Sequence, residues 1–141
     1  MKKINIGLML ILSLGALSAH ADVTNAEKLA KKYEGIAKAI NPKYAGESPS
    51  DGKVFFNNLI KVNGKDVACA SCHTDNPANT GKHMVTGKPI RPLAPSVNAK
   101  RFTDIDKVEE NFSKHCNDII ARECTAEEKA NFIAYLITVK K

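Results

Sequence analysis

Cys69-Ala70-Ser71-Cys72-His73 decides how this 141-residue chain is read. C-x-x-C-H is the attachment sequence of a c-type haem. Two thiols one helical turn apart can each bond to a vinyl-derived carbon of a porphyrin. The imidazole that follows at once can then meet the iron from the same side. Other uses of the pattern fit less well. A thioredoxin-type pair wants a strand before it and a helix after it, whereas Thr74-Asp75-Asn76-Pro77-Ala78-Asn79 reads as loop. A zinc site wants a second ligand pair at short spacing, and the sequence offers none. The expectation is one covalent haem c, with Cys69 and Cys72 holding the ring and His73 as proximal iron ligand. A thiol redox pair or a disulfide is the alternative.

The N-terminus carries a compartment label. Lys2 and Lys3 precede an apolar run over residues 4–17, and Ala19-His20-Ala21 is a small-x-small cleavage site. This pattern predicts a secretory signal peptide over residues 1–21. An uncleaved anchor is the competing reading, but the run falls short of the roughly 20 apolar residues a membrane span needs. No later stretch is apolar enough to cross a bilayer, so no stable membrane insertion is expected. Residues 22–141 then form one monohaem domain, exported to the periplasm, where disulfides persist. A domain of that size buries a modest core. With three Tyr, five Phe and no Trp, a large apolar cofactor would complete it. The net charge is +6, two charges of which lie in the leader. The cations are dispersed rather than clustered, which speaks against nucleic acid and suits either solubility or the steering of an acidic redox partner.

The remainder reads as all-α. Thr24-Asn25-Ala26-Glu27 is a capping box, and Ala26, Leu29, Ala30, Tyr33, Ile36, Ala37 and Ile40 recur at helical spacing. They predict a helix over 25–40, stopped by Asn41-Pro42. Ser50 or Asp51 caps a second helix from Gly52 to about Leu59, with Gly52 and Phe56 on one face where another helix can approach. From Thr74 to Arg101 the chain is broken by Pro77, Gly81, Gly87, Pro89, Pro92 and Pro95. It is too long for an idle connector, and the haem is the obvious object for it to wrap. Thr103 or Asp104 caps a third helix to about His115. Thr125-Ala126-Glu127-Glu128 is a second capping box, opening a last helix.

The iron's second ligand has few candidates. Ile105, Val108, Phe112 and His115 are spaced 3, 4 and 3 apart, so His115 continues an apolar stripe and is expected to point into the core. Met84 lies on the proline-rich loop, beside His83, which reads as an exposed histidine. His115, Met84 and an open site all remain possible from the residues alone. Cys116 and Cys124 are left after the haem takes two thiols. In one unbroken helix their Cα atoms would be about 12 Å apart, beyond the roughly 7 Å a disulfide spans. If they pair, the chain turns somewhere between Asp118 and Glu123.

Gly52 to Phe56, the C-x-x-C-H, Thr86-Gly87-Lys88-Pro89-Ile90-Arg91-Pro92-Leu93-Ala94-Pro95-Ser96 and Arg101-Phe102-Thr103-Asp104 carry a resemblance. So do Val108-Glu109, Cys116-Asn117, Ile120, Arg122, Cys124-Thr125 and Glu128-Lys129-Ala130. Together they resemble the sphaeroides haem protein family, monohaem class I cytochromes c that bind oxygen and other diatomic ligands. The resemblance implies a class I cytochrome c-like helical fold and a disulfide between Cys116 and Cys124. It implies that Pro92 lies near His73, its carbonyl accepting the imidazole N–H. It also implies a dihaem cytochrome c as redox partner. The family's best-known member places an asparagine ligand immediately before the first late cysteine. Here that position is His115, which makes His115 the expected distal ligand and Met84 a minor option. An imidazole binds iron more strongly than an amide, and the pair lacks the methionine that raises potential in ordinary cytochromes c.

Two functions follow. One is one-electron transfer with a partner cytochrome through a haem ligated by His73 and His115. The other is binding or reduction of oxygen or nitric oxide after His115 leaves. No hydrolytic triad, phosphate loop or carboxylate pair is present, so a carrier or ligand-binding role is expected rather than a dedicated enzyme.

Overall fold

The computed structural model of the chain describes the backbone of residues 17–141 and the side chains of residues 23–141. The expected leader lies outside the residues whose side chains are described. Among the described residues five helices carry the fold: α1 Leu17–Ile40, α2 Pro49–Asn57, α3 Cys69–His73, α4 Ile105–Ile120 and α5 Ala126–Thr138. Two small antiparallel hairpins join them. β1 (Ile60–Val62) pairs with β2 (Lys65–Val67), Ile60 opposite Val67, and β3 (Gly81–Lys82) pairs with β4 (Pro89–Ile90), Gly81 opposite Ile90. The helical, class I cytochrome c-like architecture expected from the sequence is the one observed.

The scaffold is α1 and α2 packed on α5. From α1, Ala26, Leu29, Ala30, Tyr33 and Ala37 are buried. Ile36 and Ile40, expected on the same stripe, are 41% and 76% exposed. Ile36 sits at the stripe's edge, and Ile40 is the helix's last residue. The α2–α5 crossing is closer than side chains allow: a Cβ on Gly52 would collide with the Asn131 carbonyl and crowd Tyr135 Cβ. Phe56, one turn on, is fully buried against Tyr135 and Phe132. Emptying that position would cost about 3–5 kcal/mol. Asn131 fixes the loop before α2, its buried Oδ1 accepting from Tyr44 Oη at 2.7 Å and Ser48 N at 2.8 Å.

Boundaries differ from the sequence reading where local chemistry offered a choice. α2 starts earlier, with Ser48 as N-cap, its Oγ accepting from Asp51 N, and Pro49 in the first turn, where a missing N–H costs nothing. Asp104 caps α4 as expected, accepting from Lys107 N at 3.1 Å. The helix runs one turn past His115, to Ile120, before Ala121 turns left-handed at φ 56°. α1 is continuous through Thr24, so Thr24 is not its N-cap. The Thr125–Glu128 box is reciprocal, at 3.1 and 2.8 Å.

Candidate haem-binding site

The attachment motif forms α3, a single turn of helix. Ser71 Oγ accepts from Ala68 N at 3.0 Å, which closes the turn's open end. The chain leaves abruptly: Thr74 sits at φ 63°, a region β-branched residues rarely adopt. Its Oγ1 donates to the Asn76 carbonyl at 2.8 Å. Strain of this kind persists only where the surroundings enforce it. Gly81 of β3 lies against α3 so closely that a Cβ would collide with the Cys72 carbonyl and come within 3.1 Å of His73 Cα. The proline-rich segment thus packs against the motif through the β3–β4 hairpin.

Cys69 and Cys72 are half-buried and unpaired. Burial, helped by the neighbouring Cys72, pushes the Cys69 thiol up to about 11. A redox or nucleophilic cysteine is favoured by the opposite shift. Burial, reinforced by His115 and by Arg101, brings the His73 imidazole down to about 4. It is neutral at pH 7, as a metal ligand must be.

The ring of His115 lies 6.4 Å from that of His73, centroid to centroid, with planes inclined by 53°. A metal–imidazole bond is about 2 Å and the ring centre lies about 1 Å further back, so two imidazoles on one metal stand roughly 6 Å apart. The pair fits that requirement. His115 is exposed, not buried as its stripe suggested. Of the stripe only Val108 is buried, Phe112 is half-buried and Ile105 is 38% exposed. A 3-4-3 spacing specifies one helix face but not whether protein covers all of it. His115 Nδ1 is 2.8 Å from the Asn111 carbonyl. A carbonyl only accepts, so Nδ1 carries the proton and Nε2 the lone pair. The sequence reading missed Asn111; its position four residues before His115 was the available signal.

The end of α4 is fastened three ways. Cys116 and Cys124 form a disulfide, with Cα atoms 5.6 Å apart across the Ala121 turn. Glu123 Oε1 accepts from Ser113 Oγ and Asn117 Nδ2, both at 2.6 Å. Arg122 grips both oxygens of Glu128, at 2.8 and 2.6 Å. These contacts hold the carboxyls of Glu123 and Glu128 below the usual range.

Met84 is 50% exposed on the β3–β4 tip, and His83 Nδ1 accepts from Val85 N and Thr86 N, both at 3.2 Å. The Pro92 carbonyl accepts from Asn98 Nδ2 at 2.7 Å, which leaves its second lone pair. Beside Asn111 lies a cavity of about 170 Å³ whose cations are Arg91, Lys100, Arg101 and Lys107.

Residues 42–136 match a family described as a domain of unknown function, DUF1924. Cytochrome c'' of Methylophilus methylotrophus is 65% identical over 127 residues, 88% of each chain. The cytochrome c-type protein SHP of Cereibacter sphaeroides is 44% identical over 122 residues, 84% of this chain and 87% of that one. The crystal structure of oxidised cytochrome c'' superposes with a TM-score of 0.82 at 64% identity, over 85% of this chain and 98% of that one. A solution structure of the same protein, concerned with haem-ligand detachment, gives 0.78 over the same shares at the same identity. Oxidised SHP, described as an oxygen-binding cytochrome c, gives 0.68 at 34% identity, over 79% and 94%. Together with the attachment motif, these likenesses establish that the chain belongs to the cytochrome c''/SHP family of c-type cytochromes, which carry one covalently attached haem.

Proposed function

We propose that the chain is a periplasmic electron carrier in which Cys69 and Cys72 hold the haem and His73 and His115 ligate its iron from opposite faces. The observation that carries this is the 6.4 Å between the two rings, together with the Nδ1 contact that leaves Nε2 of His115 as donor. When bound, the haem supplies one-electron chemistry. His73 is kept neutral by its surroundings, and the free lone pair of the Pro92 carbonyl suits its N–H. Arg101 and the other cavity cations suit the carboxylates a haem carries. The disulfide and Glu123 hold the helix end that presents His115. The partner implied by the resemblance is a dihaem cytochrome c, and cleavage after Ala21 would deliver the protein to it.

The experiment is the absorption spectrum of the purified protein. Wild type is expected low-spin, and His115→Ala high-spin with the haem mass retained. A low-spin His115→Ala protein would remove His115 from the iron.

A second reading is binding of a diatomic gas, oxygen or nitric oxide, at the position His115 vacates. It is favoured by the exposure of His115 at the side of one helix, and by the relatives concerned with oxygen binding and ligand detachment. Addition of carbon monoxide to the reduced protein distinguishes the two. A spectrum unchanged over minutes excludes the gas reading, and a rapid change excludes a permanently closed carrier.

A further inference from the structure

Residues 76–103 contain Lys82, Lys88, Arg91, Lys100 and Arg101 and no aspartate or glutamate. The centre of this acid-free stretch is the β3–β4 hairpin. Its tip exposes Met84 at 50% and Val85 at 88%, with Lys82 and Lys88 exposed on either side. Among the described residues no salt bridge takes either lysine, and neither lines the basic cavity beside Asn111. The tip is preformed. His83 N donates to the Lys88 carbonyl and Gly87 N to the His83 carbonyl, both at 2.9 Å. The His83 ring accepts two further backbone N–H groups inside the turn. The root of the hairpin, Gly81, abuts the carbonyl of Cys72.

A small apolar centre inside a one-signed charged rim, held rigid in advance, is the make-up of a fast and transient protein interface. Its root on the attachment turn places it beside the redox centre. We infer that the β3–β4 hairpin is the docking surface for an acidic electron-transfer protein, from which one electron passes to the haem iron without exchange of atoms. This rests on the electron-carrier reading above. A membrane surface fits less well, because two apolar side chains on a tight turn provide no amphipathic face to bury among lipids.

The test uses flavodoxin, a strongly acidic flavoprotein, with the haem-loaded protein. Lys82→Glu/Lys88→Glu is compared with Lys28→Glu/Lys53→Glu, which makes the same charge change on exposed positions of α1 and α2. Reversal at the hairpin is expected to slow reduction by reduced flavodoxin about tenfold or more at low ionic strength, the gap closing as salt is added. Reversal on α1 and α2 should cost about twofold at most. With oxidised flavodoxin, the amides of residues 82–88 should shift in NMR spectra. Equal slowing by both double variants, or shifts centred elsewhere, overturns the proposal. So does a shift of the hairpin amides by phosphatidylglycerol vesicles and not by flavodoxin. Shifts at the hairpin without electron transfer leave the docking surface standing and overturn the carrier reading instead.

Discussion

The two histidines are mounted differently. His73 stands on one turn of helix clamped from all sides: Ser71 closes its start, Thr74 is forced left-handed at its end, and Gly81 presses on its back. His115 stands exposed on a sixteen-residue helix, with one hydrogen bond to its ring, and the fastenings beside it, the Cys116 disulfide and the Ser113 and Asn117 contacts to Glu123, hold neighbouring residues rather than the imidazole. The first mount packs other chain against the residue; the second ties down the backbone that carries it. The same residue type can thus be fixed by local packing or by cross-links of its backbone that leave the side chain exposed.

Changes at the first mount are expected to be the most severe. Gly81→Ala forces the hairpin off the attachment turn at a cost of about 3 kcal/mol or more. Denaturant unfolding and haem content by mass measure it; a variant as stable and as fully loaded as wild type would break the contrast. Cys116→Ser/Cys124→Ser should cost about 2–3 kcal/mol while leaving haem attached. Its sharper signature is faster reaction of the reduced protein with carbon monoxide, because only the distal mount is loosened. Glu123→Gln removes the charge from the clamp on Ser113 and Asn117, so a smaller fall in Tm than for the disulfide pair is expected, with the same direction of change toward carbon monoxide. Acid acts on the same region. Glu128 has its folded-state pKa lowered, chiefly by Arg122, so the unfolded chain binds more protons and stability rises with pH across the window. The contribution is complete above the ordinary carboxylate pKa of about 4.3 and is lost as pH falls through the lower folded value. Thermal melts of Glu128→Gln should therefore lose part of the wild-type stability decline in that acid range. At the bottom of the scale, Met84→Leu should leave the spectrum unchanged and stability within about 1.5 kcal/mol; a spin-state change would make Met84 a ligand after all.

The sequence was most legible where one residue has one use. C-x-x-C-H, the Asp104 cap, the Thr125–Glu128 box and the Gly52 approach each rest on a local chemical requirement, and each stands in the structure where its residues put it. Legibility failed where a residue's surroundings are set by distant chain. The two- and three-residue strands are too short to leave an alternating pattern. The exposure of His115 depends on what lies opposite α4, which no spacing within α4 encodes. The pressure of Gly81 on Cys72 joins residues nine apart through a hairpin whose register was invisible. The role of the Asn111 carbonyl is backbone chemistry, legible only in its position four residues before His115.

Ala121 adopts a left-handed conformation, at φ 56°, without being glycine, and it is bracketed by a cross-link on both sides. The end of α4 is thereby tied to the residue that precedes the α5 cap, and α5 is itself wedged against α2 at Gly52. Sliding of the C-terminal end of α4 would have to carry the start of α5 with it. The least disruptive travel of the His115 imidazole is thus rotation about its own side-chain bonds.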